Sequence, residues 1–188
     1  MARILLHICC GPCASACLER LRAEGHEVTL FFSNANISPD SEYRRRFSAA
    51  DKLATATNTP LVEDSEVSHA EWLKEVASGL EDEPEGGERC RRCFAFNLKR
   101  AASFAKDNGY DIFTTSLTVS PHKRSALVFM VGREVGGETF LEEDFKKRNG
   151  FLRSIELSEA LGLYRQDYCG CEFSLRDTAA RAKKKATE

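Results

Sequence analysis

With 188 residues, 42% of them hydrophobic and 30% charged, the chain is long enough for one domain with a sizeable core and too apolar to stay disordered. A net charge of -2 excludes a broadly basic polynucleotide-coating protein, so any nucleic-acid contact must use a local patch. No apolar run approaches the roughly 20 residues that cross a bilayer and the start shows no signal-peptide pattern, which predicts a cytoplasmic protein with no membrane partner.

Residues 3–8 read as a buried strand. It runs into His7-Ile8-Cys9-Cys10-Gly11-Pro12-Cys13, where Pro12 suits the first helical position because its missing N–H would be unpaired there anyway. A helix over 13–24 carries Cys13, Cys17, Leu18 and Leu21 on one face and stops at Gly25. Residues 28–32 are a second strand. Beyond a polar loop, Tyr43, Phe47, Ala50, Leu53 and Ala54 recur at helical spacing, and 60–62 form a short third strand. Ser68 followed by Glu71 is a capping box, opening a helix with Trp72, Leu73 and Val76 that ends near Gly79.

The acidic, Gly-rich loop 81–88 then delivers Cys90, and a long helix runs to Asn108-Gly109. Residues 112–115 are a fourth strand. Ser120-Pro121 starts a helix to about Gly136, 139–141 is a weak fifth strand, 154–161 a short helix and 175–186 a charged terminal one. There is no internal repeat and no linker, which predicts one domain over 1–174 and a charged helical tail over 175–188.

Alternating strands and helices predict an α/β fold, a single three-layer, Rossmann-like domain with a mainly parallel sheet. In such sheets ligands bind beyond the carboxyl ends of the strands, where strand order reverses. A 3-2-1-4-5 order, assumed from the fold class, would set the opening motif and the loop 114–124 on either side of that point.

Eight cysteines carry the chemistry. In a reducing compartment, clustered cysteines are metal ligands or catalytic thiols more often than disulfides. Cys9, Cys10, Cys90 and Cys93 make a four-thiolate set, a donor type shared by zinc and iron–sulfur sites. The free N–H groups and dipole at the start of the first helix favour thiolate and an anionic cluster, and place Cys13 to be reactive. Cys169-Gly170-Cys171 can close a strained, easily reduced disulfide, or both sulfurs can bind a metal with Asp167 adding oxygen. Cys17 reads as a core thiol and His7 as a satisfied strand residue. Arg44-Arg45-Arg46 and Lys183-Lys184-Lys185 read as solvated helix faces. The basic groups His122-Lys123-Arg124, Arg89/Arg91/Arg92 and Lys146-Lys147-Arg148 lie near the expected crevice and suit a phosphate backbone.

Taken together, H-x-C-C-x-P-C, the stretch from Gly79 to Cys90 with Cys93, Thr118-Val119-Ser120-Pro121-His122-Lys123, Asp144-Phe145-Lys146-Lys147 and Tyr164-Arg165-Gln166-Asp167-Tyr168-Cys169-Gly170-Cys171 resemble the epoxyqueuosine reductase QueH family, in order and spacing, from residue 3 to about 174. The resemblance implies an adenine nucleotide alpha hydrolase-like fold and the last step of queuosine biosynthesis. That step is the cobalamin-independent reduction of epoxyqueuosine to queuosine at the wobble position of tRNAs for Tyr, His, Asn and Asp. It further implies a [4Fe-4S] cluster on Cys9, Cys10, Cys90 and Cys93, a redox-active pair Cys169/Cys171, and an additional mononuclear iron nearby.

Epoxide deoxygenation takes two electrons and two protons, drawn from an external electron donor. A cluster passes one electron at a time, so a second redox partner is useful. The Cys169/Cys171 dithiol could be that partner, or an iron acting as a Lewis acid, with Asp167 or Tyr168 as ligand or proton source. Cys13 is a candidate for the second metal or for proton chemistry. Lys123, Arg124, Lys146 and Lys147 are expected on phosphate.

Rival readings are a zinc-stabilised nucleic-acid-binding module, an iron–sulfur tRNA sulfurtransferase and a thiol–disulfide oxidoreductase. The sulfurtransferase needs a Ser-Gly-Gly-type phosphate loop after the first strand, where this chain has Cys9-Cys10-Gly11-Pro12. For the oxidoreductase a lone C-x-x-C would suffice.

Overall fold

The structure, a computed structural model, describes residues 1–187, with side chains described through Lys183. Four parallel strands, β1 (Arg3–His7), β2 (Glu27–Phe32), β3 (Leu61–Glu63) and β4 (Ile112–Thr115), lie in the order β3-β2-β1-β4. The helices are α1 (Gly11–Ala23), α2 (Asp40–Ala56), α3 (His69–Trp72), α4 (Glu88–Asp107), α5 (Ser125–Gly136), α6 (Gly150–Ala160) and α7 (Glu172–Thr187). α3 runs on into a π turn over Leu73–Ala77.

Strand side chains alternate between the faces of the sheet, and the core divides accordingly. Ile4, Leu6, Leu30 and Phe32 pack with Cys17, Leu18 and Leu21 of α1 and Leu53 of α2. Leu5, Phe31 and Phe113 pack with Leu98 and Ala101 of α4 and Val128 and Val131 of α5. Each buried Leu or Phe contributes about 1.5–3 kcal/mol, against roughly 0–1 for a surface ion pair, so this two-sided core holds the three layers together. The expected α/β class and the neighbours of β1 are those observed. Among the described residues, no helix is long and apolar enough to cross a membrane.

Several local expectations are corrected. Segment 139–141 is not a ladder strand: it meets β4 through one bridge, Phe113 with Phe140. The Thr114 hydroxyl instead donates to the Leu141 carbonyl at 2.8 Å, taking up an acceptor the ladder would have used. The helix expected from Ser120 starts at Ser125, because Ser120 closes a turn through Lys123 N–H to its carbonyl and His122 N–H to its hydroxyl. A 3-10 turn over Ser116–Val119 precedes it. α6 and α7 begin four and three residues earlier than expected, at Gly150 and Glu172.

Arg46 is not on a solvated face. It is fully buried, sharing the inward side of α2 with Ala50 and Leu53. Arg89 is also buried, its guanidinium spent on the Leu80, Glu81 and Glu83 carbonyls, so it shapes the acidic loop rather than meeting phosphate. The Lys184 and Lys185 side chains lie outside the described residues.

Candidate metal centre

β1 ends at His7 and α1 begins at Gly11, so Cys9, Cys10 and Cys13 occupy the strand–helix turn at the carboxyl edge of the sheet. Their sulfurs all lie within 4.8 Å of one another, close enough to share one metal ion. Cys10 is the N-cap of α1, with extended backbone and a fully buried side chain. The turn sits tightly on α2: a Cβ at Gly11 would lie 2.3 Å from the Ala49 carbonyl oxygen.

The three thiols are electrostatically unequal. Hydrogen bonds from Cys10 and Cys13 hold Cys9 well below the usual thiol pKa, with further help from the positive charges of Lys123 and Arg46. Burial pushes Cys10 up to about 12, and Cys13 rises through its bonds to Cys10 and Cys9. Cys9 therefore carries the thiolate of the group. His7 lies beneath, fully buried, with Nε2–H donating to the Ser33 carbonyl and Nδ1 receiving the Thr115 hydroxyl. Burial lowers its pKa, and it serves the fold as a satisfied ring.

Cys90 and Cys93 lie in the first turns of α4. The Gly86 N–H donates to the Cys90 sulfur at 3.2 Å, and the Asn97 amide points at Cys93 from 3.8 Å. The indole N–H of Trp72 is buried without an acceptor at standard hydrogen-bond length, beside the Cys93 thiol whose ionised form it favours. Burial raises both thiols, and Cys169 and Cys171 are the first charges that raise them further. Cys171 packs in the same apolar group as Trp72 and Cys93. The third cysteine pair thus faces the second. From the same segment, Gln166 donates Nε2–H to the Cys10 sulfur at 3.1 Å, tying it to the opening triad.

A cavity of about 580 Å³ opens over this centre, and Cys9, Cys13, Cys169, Lys123, Asp167 and Tyr168 line it. Asp167 is exposed there. Burial disfavours the Lys123 ammonium, but the sulfurs of Cys169, Cys9, Cys13 and Cys10 around it favour the charged form and more than offset this, so its pKa lies above the usual lysine value. Arg124 and Lys147 are exposed. Lys146 is already used inside the fold: its ammonium donates to the Thr118 and Lys123 carbonyls and the Ser125 hydroxyl.

Cys13 therefore joins Cys9 and Cys10 more closely than the expected four-thiolate set would have it, while Cys90 and Cys93 have Cys169 and Cys171 as neighbours. The donor set fits thiolate-bound iron: seven clustered thiols, with N–H groups of Gly86, Gln166, Asn97 and Trp72 aimed at sulfur as charge-bearing ligands require. Sequence reasoning missed Arg46, Trp72 and the Gln166 contact. Arg46 alone had a legible signal, an arginine at the helical spacing of Ala50 and Leu53.

The family model described as "Epoxyqueuosine reductase QueH" matches residues 4–177. A protein named epoxyqueuosine reductase QueH from Streptococcus pyogenes serotype M1 is 40% identical over 181 residues, covering 92% of this chain and 70% of that protein. One of the same name from Thermotoga maritima is 36% identical over 180 residues, covering 93% and 91%. Among solved structures, a "predicted subunit of tRNA methyltransferase" from Methanocaldococcus jannaschii superposes with TM-score 0.58 at 12% identity, over 84% of this chain and 75% of that one. At that identity the likeness shows the shared fold alone.

Proposed function

The chain belongs to the epoxyqueuosine reductase QueH family, and on that premise we propose that the cavity over Cys9, Cys13 and Cys169 takes up the epoxyqueuosine nucleoside of a tRNA and reduces its epoxide to the cyclopentene of queuosine. The observation that carries this reading is the meeting of two distant cysteine segments, with Lys123 between them, in the wall of a single cavity. Its volume falls within the roughly 300–1,000 Å³ typical of small-molecule pockets, which suits one nucleoside and not a duplex. The wobble base of an anticodon loop is already single-stranded and leaves its stack at modest cost.

Cys9, Cys10, Cys90 and Cys93 are proposed to hold a [4Fe-4S] cluster, with Cys169/Cys171 as a dithiol pair or as ligands, with Cys13 or Asp167, of an additional iron. When bound, these groups supply single electrons from an external donor and a Lewis acid for the epoxide oxygen. The chain's own residues do the rest. Lys123 places its ammonium among the thiolates, where it balances negative charge and can give a proton to the departing oxygen. The exposed Asp167 carboxylate can carry a second proton in from solvent. Two electrons and two protons convert epoxide to alkene and water.

Lys123, Arg124 and Lys147 are the cations proposed to meet phosphate near the cavity; Lys146 keeps its internal role. tRNAs for Tyr, His, Asn and Asp are the proposed substrates, and the reaction is cytoplasmic. The decisive experiment is anaerobic turnover of iron-reconstituted protein on epoxyqueuosine-containing tRNA, with loss of one oxygen followed by mass. Zinc without iron or sulfide in anaerobically purified protein would favour the nucleic-acid-binding alternative and overturn the reductase mechanism.

A further inference from the structure

The Cys169–Gly170–Cys171 turn is held from below by a charged side chain with no exposure to solvent. Arg46 reaches across from α2 and forks onto two consecutive carbonyls, Nη1 to Cys169 at 2.9 Å and Nη2 to Tyr168 at 3.1 Å. Its Nε donates to Glu42 Oε1 at 2.6 Å, one helical turn earlier, and the other oxygen of Glu42 accepts the Tyr164 hydroxyl at 2.9 Å. Ser38 completes the hold, accepting the Tyr168 hydroxyl at its carbonyl and donating its N–H to the Gly170 carbonyl. Gly170 has φ +140°, and a Cβ there would lie 3.1 Å from the Arg46 guanidinium.

A neutral donor would suffice to tie down a loop, whereas burying an ion pair carries a desolvation cost that its own attraction barely repays. What the guanidinium adds is geometry: its planar fork holds Glu42 and two consecutive carbonyls of the turn at once.

We propose that Arg46 is a positioning residue for the reduction: oriented by Glu42, its guanidinium fixes the Cys169–Gly170–Cys171 turn at the cavity that Cys9 and Cys13 also line. This rests on the reductase reading for its consequence in turnover, and on geometry alone for the placement of the loop. The two are tested separately.

In the full chain, reduced and free of metal, iodoacetamide labelling of Cys169 is followed by peptide mass spectrometry for wild type, Arg46→Lys and Gly170→Ala, with thermal melting as the control for folding. Arg46→Lys keeps the charge and loses the fork; Gly170→Ala presses on the fork from the loop side. Both variants should melt cooperatively and label Cys169 about tenfold faster, the response to losing roughly one hydrogen bond's worth of local stability. In the reconstituted enzyme both should lose kcat about tenfold or more with KM for tRNA unchanged, because the turn moves and the RNA surface does not. Should Arg46→Lys fail to fold, Gly170→Ala carries the same test. Unchanged Cys169 labelling in a folded variant overturns the proposal, as does a loss expressed only in KM. If labelling accelerates but wild type does not reduce epoxyqueuosine, the loop placement stands and the reductase reading falls.

Discussion

Gln166 and Cys10 lie 156 residues apart in the chain, yet the amide of one donates to the sulfur of the other at 3.1 Å. This single bond joins the C-terminal cysteine segment to the strand–helix turn that opens the fold. An N–H donor to a metal-bound thiolate withdraws charge from it and raises the reduction potential of the centre. With the proposed cluster on Cys10, Gln166→Leu should therefore keep the iron, shift the midpoint potential to more negative values, and lose activity about 10- to 100-fold, the usual cost of an outer-shell partner. Spectroelectrochemistry of the reconstituted protein checks the shift; an unchanged potential would count against the hydrogen bond.

Ligand and redox roles separate by substitution. Cys9→Ser and Cys10→Ser should fail to retain the iron and sulfide of the proposed cluster, because they are two of the three thiols whose sulfurs lie within 4.8 Å of one another. Cys169→Ser and Cys171→Ser should keep the proposed cluster, with its brown colour, and lose turnover. Iron analysis beside single-turnover assays decides each case, and normal activity in either of the latter two variants would end the redox-pair assignment.

RNA binding should be local and electrostatic. Neutralising Arg124 and Lys147, both exposed, should weaken tRNA binding and flatten its salt dependence by roughly 0.7 in slope for each phosphate no longer neutralised. Replacing Lys146 instead should destabilise the fold, since its ammonium holds three internal acceptors. Filter binding across a salt series, paired with melting curves, distinguishes the two outcomes.

Asp64 gives the fold a defined acid sensitivity. Burial raises its carboxyl, and hydrogen bonds from Arg100 and Ser33 more than reverse this, so it titrates below the usual aspartate value. A carboxyl depressed on folding stabilises fully above its unfolded pKa of about 3.9 and loses that contribution as pH falls through the folded value. Arg100→Gln should cost about 2 kcal/mol at pH 7, discounted for the partial exposure of Arg100. The gap to wild type should narrow below about pH 4 in urea titrations. A gap independent of pH would assign the loss to packing.

At the opening turn, space is the constraint. Gly11→Ala would drive a methyl group to within 2.3 Å of the Ala49 backbone oxygen, where no flexible side chain can give way. A loss of about 1–3 kcal/mol is expected from such overpacking, or roughly 2–4 °C in Tm for each kcal/mol in a chain of this size. Differential scanning calorimetry measures it directly.

Much of this protein was legible in one dimension because the relevant physics is local or periodic. The continuous apolar runs of β1 and β2, the helical spacing from Tyr43 to Ala54 and the capping box are all short-range. In that box, Ser68 N–H meets Glu71 at 2.7 Å and Glu71 N–H returns to the Ser68 hydroxyl. The start of α5 was misplaced because Ser120 spends its polar groups on a turn, a competition between side chain and helix that propensity does not resolve.

The cysteines mark the same boundary. Their motifs, spacings and resemblance determined the family and marked the thiols as candidate metal or redox groups, since residue type fixes what an atom can ligate. Only the tertiary structure decided the company each thiol keeps: Cys13 with Cys9 and Cys10, and Cys169 and Cys171 opposite Cys90 and Cys93. It also decided that Arg46, one of three consecutive arginines, is the buried one. Apart from the local turn that joins Cys13 to Cys9 and Cys10, those outcomes depend on distances between segments far apart in the chain, as Arg46 and Cys169 are, set by sheet order and by packing against α2 and α4 rather than by any local propensity.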